Sequence, residues 1–226
     1  MYRYILKIEF ISILSLFSCE YIFFTEFMNK WFMIIVISIG IVMYKNIEVL
    51  QEAYQNCFLT KVLFFTDVLL PEEYDTLVQE CDVLKPYLTE ENSSQAKRKT
   101  IVMDADSYAN IIFYSDAFMK YLHSLLGFQV KPSSNLPIEF RMYETGGNMD
   151  WHRDAVHNDK PCPQIEMVFT LENTSDSKTL WKGDAIHEIV SQPNSIIITQ
   201  GNGAFHKVTP VTRGYRTIIK VAYDIS

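Results

Sequence analysis

The distribution of apolar residues divides the chain into a long hydrophobic N-terminal stretch and a mixed remainder. Between Phe10 and Tyr44 only three residues carry a charge, and the densest apolar run covers residues 31–44. Fourteen helical residues rise about 21 Å, less than a hydrocarbon core about 30 Å thick, but an extension back to Tyr21 reaches spanning length. We therefore predict that residues 1–45 are a membrane anchor, built as a single segment or a short hairpin.

Two alternatives remain for this hydrophobic segment, which could be a cleaved signal sequence or a buried helix of a soluble domain. Basic residues flank the apolar stretch on both sides, so its charges do not indicate which side of the membrane the following domain occupies. We accordingly expect a membrane-associated protein and leave its orientation open.

Helical periodicity follows the apolar stretch, and we treat residues 46–135 as a helical support region. Residues 71–84 open with a proline, carry acidic side chains in the first turn and keep apolar residues on one face, all of which favour a helix. A second helix is predicted to end at Leu126 and to begin at either Ser107 or Asp116. Helices are therefore expected ahead of the strands.

The hydrophobic period changes to two near residue 138. Residues 138–143 alternate apolar and polar side chains, which is the pattern of a half-buried strand. Four further segments have strand character and are separated by turn signals: residues 164–171, 185–190, 195–199 and 215–223. Helices followed by short strands predict an α+β fold, in which residues 136–226 form a double-stranded β-helix (jelly-roll) barrel behind supporting helices and the anchor.

Composition and charge exclude several classes of protein. The 226 residues are 48% hydrophobic and 21% charged, which excludes a disordered or collagen-like chain. With 20 basic and 27 acidic side chains the formal net charge is −7, so the chain lacks the strongly basic footprint of a nucleic-acid-binding protein. The polar stretch 90–100, which contains Lys97-Arg98-Lys99, is predicted to be a solvated loop.

Candidate metal ligands follow the first strand of the predicted barrel and recur near its end. His152 and Asp154 form an H-x-D pair, and residues two apart on a strand project to the same face. With His206 they offer two imidazoles and one carboxylate, the facial triad that holds non-haem iron(II) and leaves coordination positions open. A second pair, His157 and Asp159, has the same spacing, so spacing alone does not choose between the two.

The sequence around the distal histidine favours the first pair. His206 is followed by Pro-Val at four and five residues, by a glycine at eight and by Arg216 at ten. In this pattern the chain resembles the 2-oxoglutarate- and Fe(II)-dependent dioxygenases, in particular their prolyl 4-hydroxylase-like branch. That branch also has a tyrosine nine residues before its first iron-binding histidine, and Tyr143 stands nine residues before His152. The resemblance is firm over residues 136–224.

The resemblance implies roles for the residues around the predicted iron. The co-substrate of the family, 2-oxoglutarate, chelates the metal through its keto acid, and its far carboxylate needs a cation. Arg216 can bind that carboxylate bidentately, and the Tyr143 hydroxyl can donate a further hydrogen bond. Arg213 is the competing cation, but it belongs to the turn before the last strand. The family often has an aromatic residue three before its first ligand, where this chain has Met149.

Several residues near these motifs are given structural interpretations. We expect Trp151 and Trp181 to belong to the barrel wall rather than to a substrate clamp, and His187 to be a partly buried or surface strand residue. Thr199 and Met167 are candidates for the lining of the cofactor pocket, although barrel packing alone would also explain them.

The resemblance further implies an oxidoreductase that uses Fe(II), 2-oxoglutarate and O2 and is supported by ascorbate. Such an enzyme converts 2-oxoglutarate to succinate and CO2 while it hydroxylates an unactivated C–H bond. The expected substrate is a prolyl or lysyl residue of a protein or peptide. A nucleic-acid demethylase is disfavoured by the arginine pattern. The demethylases of this superfamily resemble one another in having arginines about six and twelve residues after the distal histidine, whereas here they stand seven and ten residues after His206. Two further candidate functions are a small-molecule oxygenase and a non-catalytic, membrane-tethered jelly-roll binding module.

Overall fold

The computed structural model describes residues 61–155 and 164–225, and this part of the chain contains three α-helices and twelve strands. The helices are α1 (Pro71–Leu84), α2 (Tyr108–Phe113) and α3 (Asp116–Leu126), and the 3-10 turn Lys85–Tyr87 follows α1. The strands are β1 (Leu63–Thr66), β2 (Thr89–Asn92), β3 (Ala96–Val102), β4 (Val130–Pro132), β5 (Glu139–Tyr143), β6 (Asn148–His152), β7 (Gln164–Asn173), β8 (Thr179–Lys182), β9 (Ile186–Ile189), β10 (Ser195–Gln200), β11 (His206–Val208) and β12 (Arg216–Ile225).

Local hydrogen bonds set the ends of the helices. The Glu73 carboxylate accepts from the Leu70 backbone N–H at the start of α1, and Ser115 Oγ accepts from the Phe118 N–H at the start of α3. Gly127 ends α3 with a φ of 78°, in the left-handed region that glycine adopts without a Cβ clash. The predicted first helix and the predicted end of the second are confirmed, while the two alternative starts of the second belong to two separate helices, α2 and α3.

The strands of the described part join in one antiparallel sheet in the order β1-β10-β7-β12-β5-β3-β6-β11-β8-β9, with β2 added to β3 and β4 to β12. Strands that follow one another along the chain are mostly not neighbours in the sheet, and β7, for example, lies between β10 and β12. Such crossing connections are typical of jelly rolls, so the predicted barrel topology is confirmed.

The two faces of the sheet bury different side chains. The outer face packs against the helices in the main apolar core, where the ring of Phe169 lies 5.3 Å from that of Phe113 in α2. The inner face is more polar. Because side chains alternate along a strand, β12 sends Ile219 into the helix-facing core and turns Arg216 and Lys220 toward the barrel interior. The site described below is built on this inner face.

Inner-face side chains from the two ends of the curled sheet pack against one apolar cluster. Phe64 of β1 packs in one apolar cluster with Trp181 of β8, Ile189 of β9, Ile197 of β10 and Ala204. Since β1 and β9 are the opposite ends of the strand order, this cluster holds the sheet in its rolled form.

The predicted solvated loop at residues 90–100 is a β-hairpin, so that prediction is wrong. Strands β2 and β3 pair with Glu91 opposite Arg98, and side chains alternate so that Lys97 is exposed while Arg98 is buried. The Arg98 guanidinium binds the Glu91 carboxylate through two hydrogen bonds of 2.7 and 2.8 Å. A strand whose charges are neutralised by its partner resembles a loop in sequence, and the region 46–135 consequently contributes strands as well as helices.

The membrane prediction concerns a different part of the chain. None of the helices within residues 61–155 and 164–225 combines the length and hydropathy of a membrane span. The predicted anchor at residues 1–45 lies outside the described residues, and its function as an anchor stays a prediction.

Candidate metal centre

Two neighbouring strands bring the predicted ligands together. His152 ends β6 and His206 begins β11, and the two residues are directly opposed in the antiparallel ladder, with ring centroids 4.2 Å apart. Asp154 follows β6, with one carboxylate oxygen 3.5 Å from His152 Nε2 and the other 3.7 Å from His206 Nε2. One candidate ligand atom from each of the three side chains lies within 4.8 Å of the other two, close enough to share one metal ion.

Backbone carbonyls orient both imidazole rings. His152 Nδ1 lies 2.8 Å from the Asp150 carbonyl, and His206 Nδ1 lies 2.9 Å from the Ala204 carbonyl. A carbonyl can only accept, so in both rings Nδ1 carries the proton and donates. The neutral ring then presents the lone pair of Nε2, which is the form that a metal requires, and each Nε2 faces Asp154. The hydrogen bonds therefore prepare both rings for ligation.

The third candidate ligand is held ionised. Burial alone would raise the pKa of Asp154, but the neighbouring imidazoles of His152 and His206 and the hydrogen bond from Thr199 outweigh burial and keep the pKa well below its ordinary value. Thr199 Oγ1 donates to Asp154 Oδ2 at 2.5 Å, which also fixes the carboxylate plane. Asp154 thus offers a metal an oriented negative charge at neutral pH.

The two imidazoles respond differently to protons. Burial opposes protonation of His152, but hydrogen bonds with Asp154 and with the Asp150 carbonyl outweigh burial and raise its pKa. At His206 burial dominates and lowers the pKa. Two rings this close repel each other when both are charged, so His152 takes up the first proton as the pH falls. Protons and a metal ion compete for that ring.

A buried arginine faces the same cavity from the last strand. Arg216 is 2% exposed and stands directly opposite Tyr143 of β5 in the ladder. Its Nη1 donates to Thr179 Oγ1 at 3.3 Å, and its Nε has no hydrogen-bond partner among the described residues. Burial lowers the pKa of Arg216, and no carboxylate in the described part of the chain offsets it. A buried cation without a counter-charge is costly unless a ligand supplies one.

Arg98 is a cavity residue that the sequence analysis missed. Besides its pair with Glu91, its Nη1 donates to Tyr143 Oη at 3.0 Å and lies 3.3 Å from Met149 Sδ. Because the Tyr143 hydroxyl accepts from Arg98, its own proton remains available for an anion in the cavity. The missed signal is the charge complementarity of residues 90–91 with residues 98–99, two acids opposite two bases across a hairpin.

The other predicted site residues separate into those inside and those outside the cavity. Arg213 is exposed in the turn before β12, away from the cavity lining. Thr199 lines the cavity, whereas alternation along β7 turns Met167 to the outer face, where it packs in the helix-facing core. Of the two interpretations given for Met167, packing is therefore the one that holds. The alternative pair, His157 and Asp159, lies outside the described residues.

A second carboxyl group, also missed from sequence, shares the cavity with the triad. Glu166 of β7 is 5% exposed, and its carboxylate lies 2.8 Å from Lys220 Nζ of β12. Burial and the negative charge of Asp154 outweigh the attraction of Lys220 and raise the pKa of Glu166 from 4.5 to about 7. No strand pattern distinguishes such a glutamate from an exposed one, which is why only the register reveals it.

The residues present fit both groups that the sequence resemblance implies. Two neutral imidazole nitrogens and one carboxylate around a common point suit Fe(II) and leave positions open for a chelating ligand. In the same cavity, Arg216, whose Nε has no partner among the described residues, offers the cation that the far carboxylate of 2-oxoglutarate needs. His152, Asp154 and His206 would hold the metal, and Arg216 and Tyr143 would hold the carboxylate.

No family model matches the sequence, and a search of curated proteins finds no match either. Solved structures do match. The chain is similar to a prolyl hydroxylase from Trichoplax adhaerens in complex with a hypoxia-inducible factor peptide, at 12% identity over 81% of this chain and 91% of that one, with a TM-score of 0.60. A prolyl 4-hydroxylase from Pseudomonas putida matches at 13% identity over 78% and 98%, with a TM-score of 0.58.

A third similar structure is an oxidoreductase of the 2OG-Fe(II) oxygenase family from Burkholderia pseudomallei, at 14% identity over 72% of this chain and 84% of that one, with a TM-score of 0.55. At these identities the likeness establishes the fold, which is that of the 2-oxoglutarate- and Fe(II)-dependent oxygenases. Within this shared fold the described residues also bring together a His-Asp-His group able to hold a metal ion.

Proposed function

We propose that the chain is an Fe(II)- and 2-oxoglutarate-dependent dioxygenase that hydroxylates an unactivated C–H bond. The observation that carries the proposal is one cavity lined both by the triad His152, Asp154 and His206 and by Arg216, a buried guanidinium without an acidic partner in the described part of the chain. One fold can carry many different functions, so the proposal rests on this combination of metal ligands and buried cation rather than on the fold alone.

The residues of the chain orient and bind, while the bound groups supply the chemistry. When present, Fe(II) with 2-oxoglutarate and O2 provides the oxidising power for hydroxylation, with succinate and CO2 as co-products. Thr199 fixes the Asp154 carboxylate, and backbone carbonyls fix the two imidazoles, so the ligands need little reorganisation. Arg216 and the Tyr143 hydroxyl would bind the far carboxylate of the co-substrate and so orient it. No side chain has to act as a general base toward the hydrogen of the substrate C–H bond.

For the substrate we propose a prolyl or lysyl residue of a protein or peptide. Two of the similar structures are prolyl hydroxylases, and one of them binds a peptide. The net charge of −7 disfavours a nucleic-acid substrate, because binding to phosphates relies on basic side chains.

The experiment is incubation of the full chain with Fe(II), ascorbate, 2-oxoglutarate and libraries of prolyl and lysyl peptides, with succinate and peptide mass as the readouts. We expect succinate release and a mass gain of one oxygen atom on a peptide. Both should disappear in His206→Ala and persist in His123→Ala, a histidine exposed on α3. Succinate without any modified peptide would retain the oxygenase and remove the proposed substrate class.

We also propose that residues 1–45 tether this domain to a membrane as a single anchor or a short hairpin. The support is the apolar run at residues 31–44 and its extension toward Tyr21. Carbonate-resistant membrane association of the full chain should vanish when residues 1–45 are deleted, and the remaining chain should stay soluble and bind metal. Aggregation of the truncated chain beside a freely soluble full chain would instead make the segment part of the core.

A further inference from the structure

Two aromatic residues continue the row of inner-face positions that begins with the metal ligands. The ladder pairs His152 of β6 with His206 of β11, His206 with Trp181 of β8, and Trp181 with His187 of β9. Directly paired residues of antiparallel strands project to the same face. The row therefore runs without interruption from the candidate metal centre to the edge strand of the sheet.

Trp181 and His187 form an ordered pair. Their rings are stacked, with centroids 5.1 Å apart and an interplanar angle of 18°. Asp184 holds the outer ring through a 2.8 Å hydrogen bond with His187 Nε2. Gly183 permits this arrangement, because a Cβ at that position would come within 3.1 Å of His187 Nε2. The hairpin between β8 and β9 thus holds the two rings in a fixed stacked arrangement.

The aromatic pair belongs to the cavity side of the barrel and remains accessible. Thr179, two residues before Trp181, lines the cavity, and Trp181 packs in the cluster that contains Ile197, another lining residue. Trp181 is only partly buried, and the His187 side chain is 43% exposed. By contrast Trp151, next to a metal ligand in sequence, stacks on Phe205 at 5.4 Å, and Lys182 Nζ lies 4.9 Å from its ring centroid.

The dimensions of the row fit an extended peptide. Strands are about 4.8 Å apart, so two spacings from His206 to His187 cover about 10 Å, the length of about three extended residues. Sites lined by ordered aromatic side chains bind proline-rich chains well, because the polyproline II conformation is preformed and presents apolar rings. A peptide whose target residue lies at the metal would place its next residues over Trp181 and His187.

We propose that Trp181 and His187 form the substrate platform of the site, on which the residues flanking the target of a proline-containing peptide pack. This inference rests on the proposed peptide-hydroxylase function and specifies two substrate-binding residues for it. Trp181 is the main contact because it is next to His206 in the row, and His187 extends the platform to the edge.

The test is direct binding, measured by fluorescence anisotropy on the full chain loaded with Zn(II) and 2-oxoglutarate. The probe is a labelled peptide of alternating proline and alanine, with a labelled glycine–serine peptide of equal length for comparison. Trp181→Ala should weaken binding of the proline peptide at least about tenfold, and His187→Ala about threefold. Trp181→Phe should recover most of the affinity. Trp151→Ala and His123→Ala are the matched controls and should stay within about twofold of the unmodified chain.

Equal binding of the proline and glycine–serine peptides by the unmodified chain would overturn the proposal, as would full affinity in Trp181→Ala and His187→Ala. An equal loss in Trp151→Ala would also overturn it. His187→Ala removes a largely exposed side chain, so it tests the platform even where Trp181→Ala unfolds. Failure of the platform is distinguishable from failure of the enzyme: selective peptide binding without succinate release removes the reaction and keeps the platform. Peptide-stimulated succinate release that is unchanged in Trp181→Ala and His187→Ala would keep the reaction and remove the platform.

Discussion

Replacement of Arg216 by alanine probes the co-substrate site without touching the metal ligands. The guanidinium is almost fully buried, its only hydrogen bond among the described residues is the 3.3 Å contact with Thr179, and its Nε is free there. The substitution therefore removes no ion pair of the described part of the chain. We expect the metal affinity to stay near that of the unmodified protein, because the triad keeps its own hydrogen bonds.

The expected magnitude follows from the kind of interaction that is lost. A buried, charge-assisted pair between a guanidinium and a carboxylate is worth about 2–5 kcal/mol, which is about a 30- to several-thousand-fold loss of 2-oxoglutarate affinity. Tyr143→Phe should cost about 1 kcal/mol, because it removes one neutral donor and leaves Arg98 without one acceptor. Arg213→Ala is the matched control, an exposed arginine in the turn before the same strand.

The assay is succinate release as a function of 2-oxoglutarate concentration, combined with calorimetric binding of 2-oxoglutarate to the Zn(II)-loaded protein. The half-saturating concentration should rise strongly for Arg216→Ala, about fivefold for Tyr143→Phe and not at all for Arg213→Ala. A rise in Arg213→Ala with none in Arg216→Ala would refute the argument, since the buried cation would then have no part in co-substrate binding.

Three further predictions concern the surroundings of the site. Thr199→Val should lower metal affinity about 10- to 100-fold in a metal titration, because Asp154 loses the donor that orients it. The unfolding free energy of the metal-free protein should fall as the pH rises from 4.5 to 7, because the folded state retains a proton on Glu166 that the unfolded chain releases. Glu166→Gln should make this fall smaller and leave the part that the raised pKa of His152 contributes. Arg98→Ala should cost about 1–3 kcal/mol in urea unfolding, because Glu91 and Tyr143 lose buried donors.

The parts of the fold that follow from local periodicity were predictable from the sequence. Pro71 and the acidic first turn mark the start of α1, and the strict alternation at residues 139–143 marks β5. The juxtaposition of His152 with His206 could be expected only through the family pattern. Physically it depends on β6 pairing with β11, two strands that are far apart in the chain.

The rest of the site depends on which face a strand buries, and a single sequence does not show this. Lys97-Arg98-Lys99 resembles a solvated charge run, yet Arg98 faces inward because β2 provides the carboxylate that neutralises it. Met167 and Glu166 are adjacent on one strand, and only the register reveals that the apolar residue faces the helices while the acid faces the metal centre. Trp181 likewise becomes a candidate substrate residue only through its pairing with His206.

The most direct test of the central claim is a crystal structure of the chain prepared without oxygen in the presence of Fe(II) and 2-oxoglutarate. The anomalous signal of iron should lie about 2 Å from Nε2 of His152, an Asp154 oxygen and Nε2 of His206. The keto acid of 2-oxoglutarate should chelate the metal, with its far carboxylate on Arg216. Iron held by His157 and Asp159, or a co-substrate carboxylate on any other cation, would contradict the account.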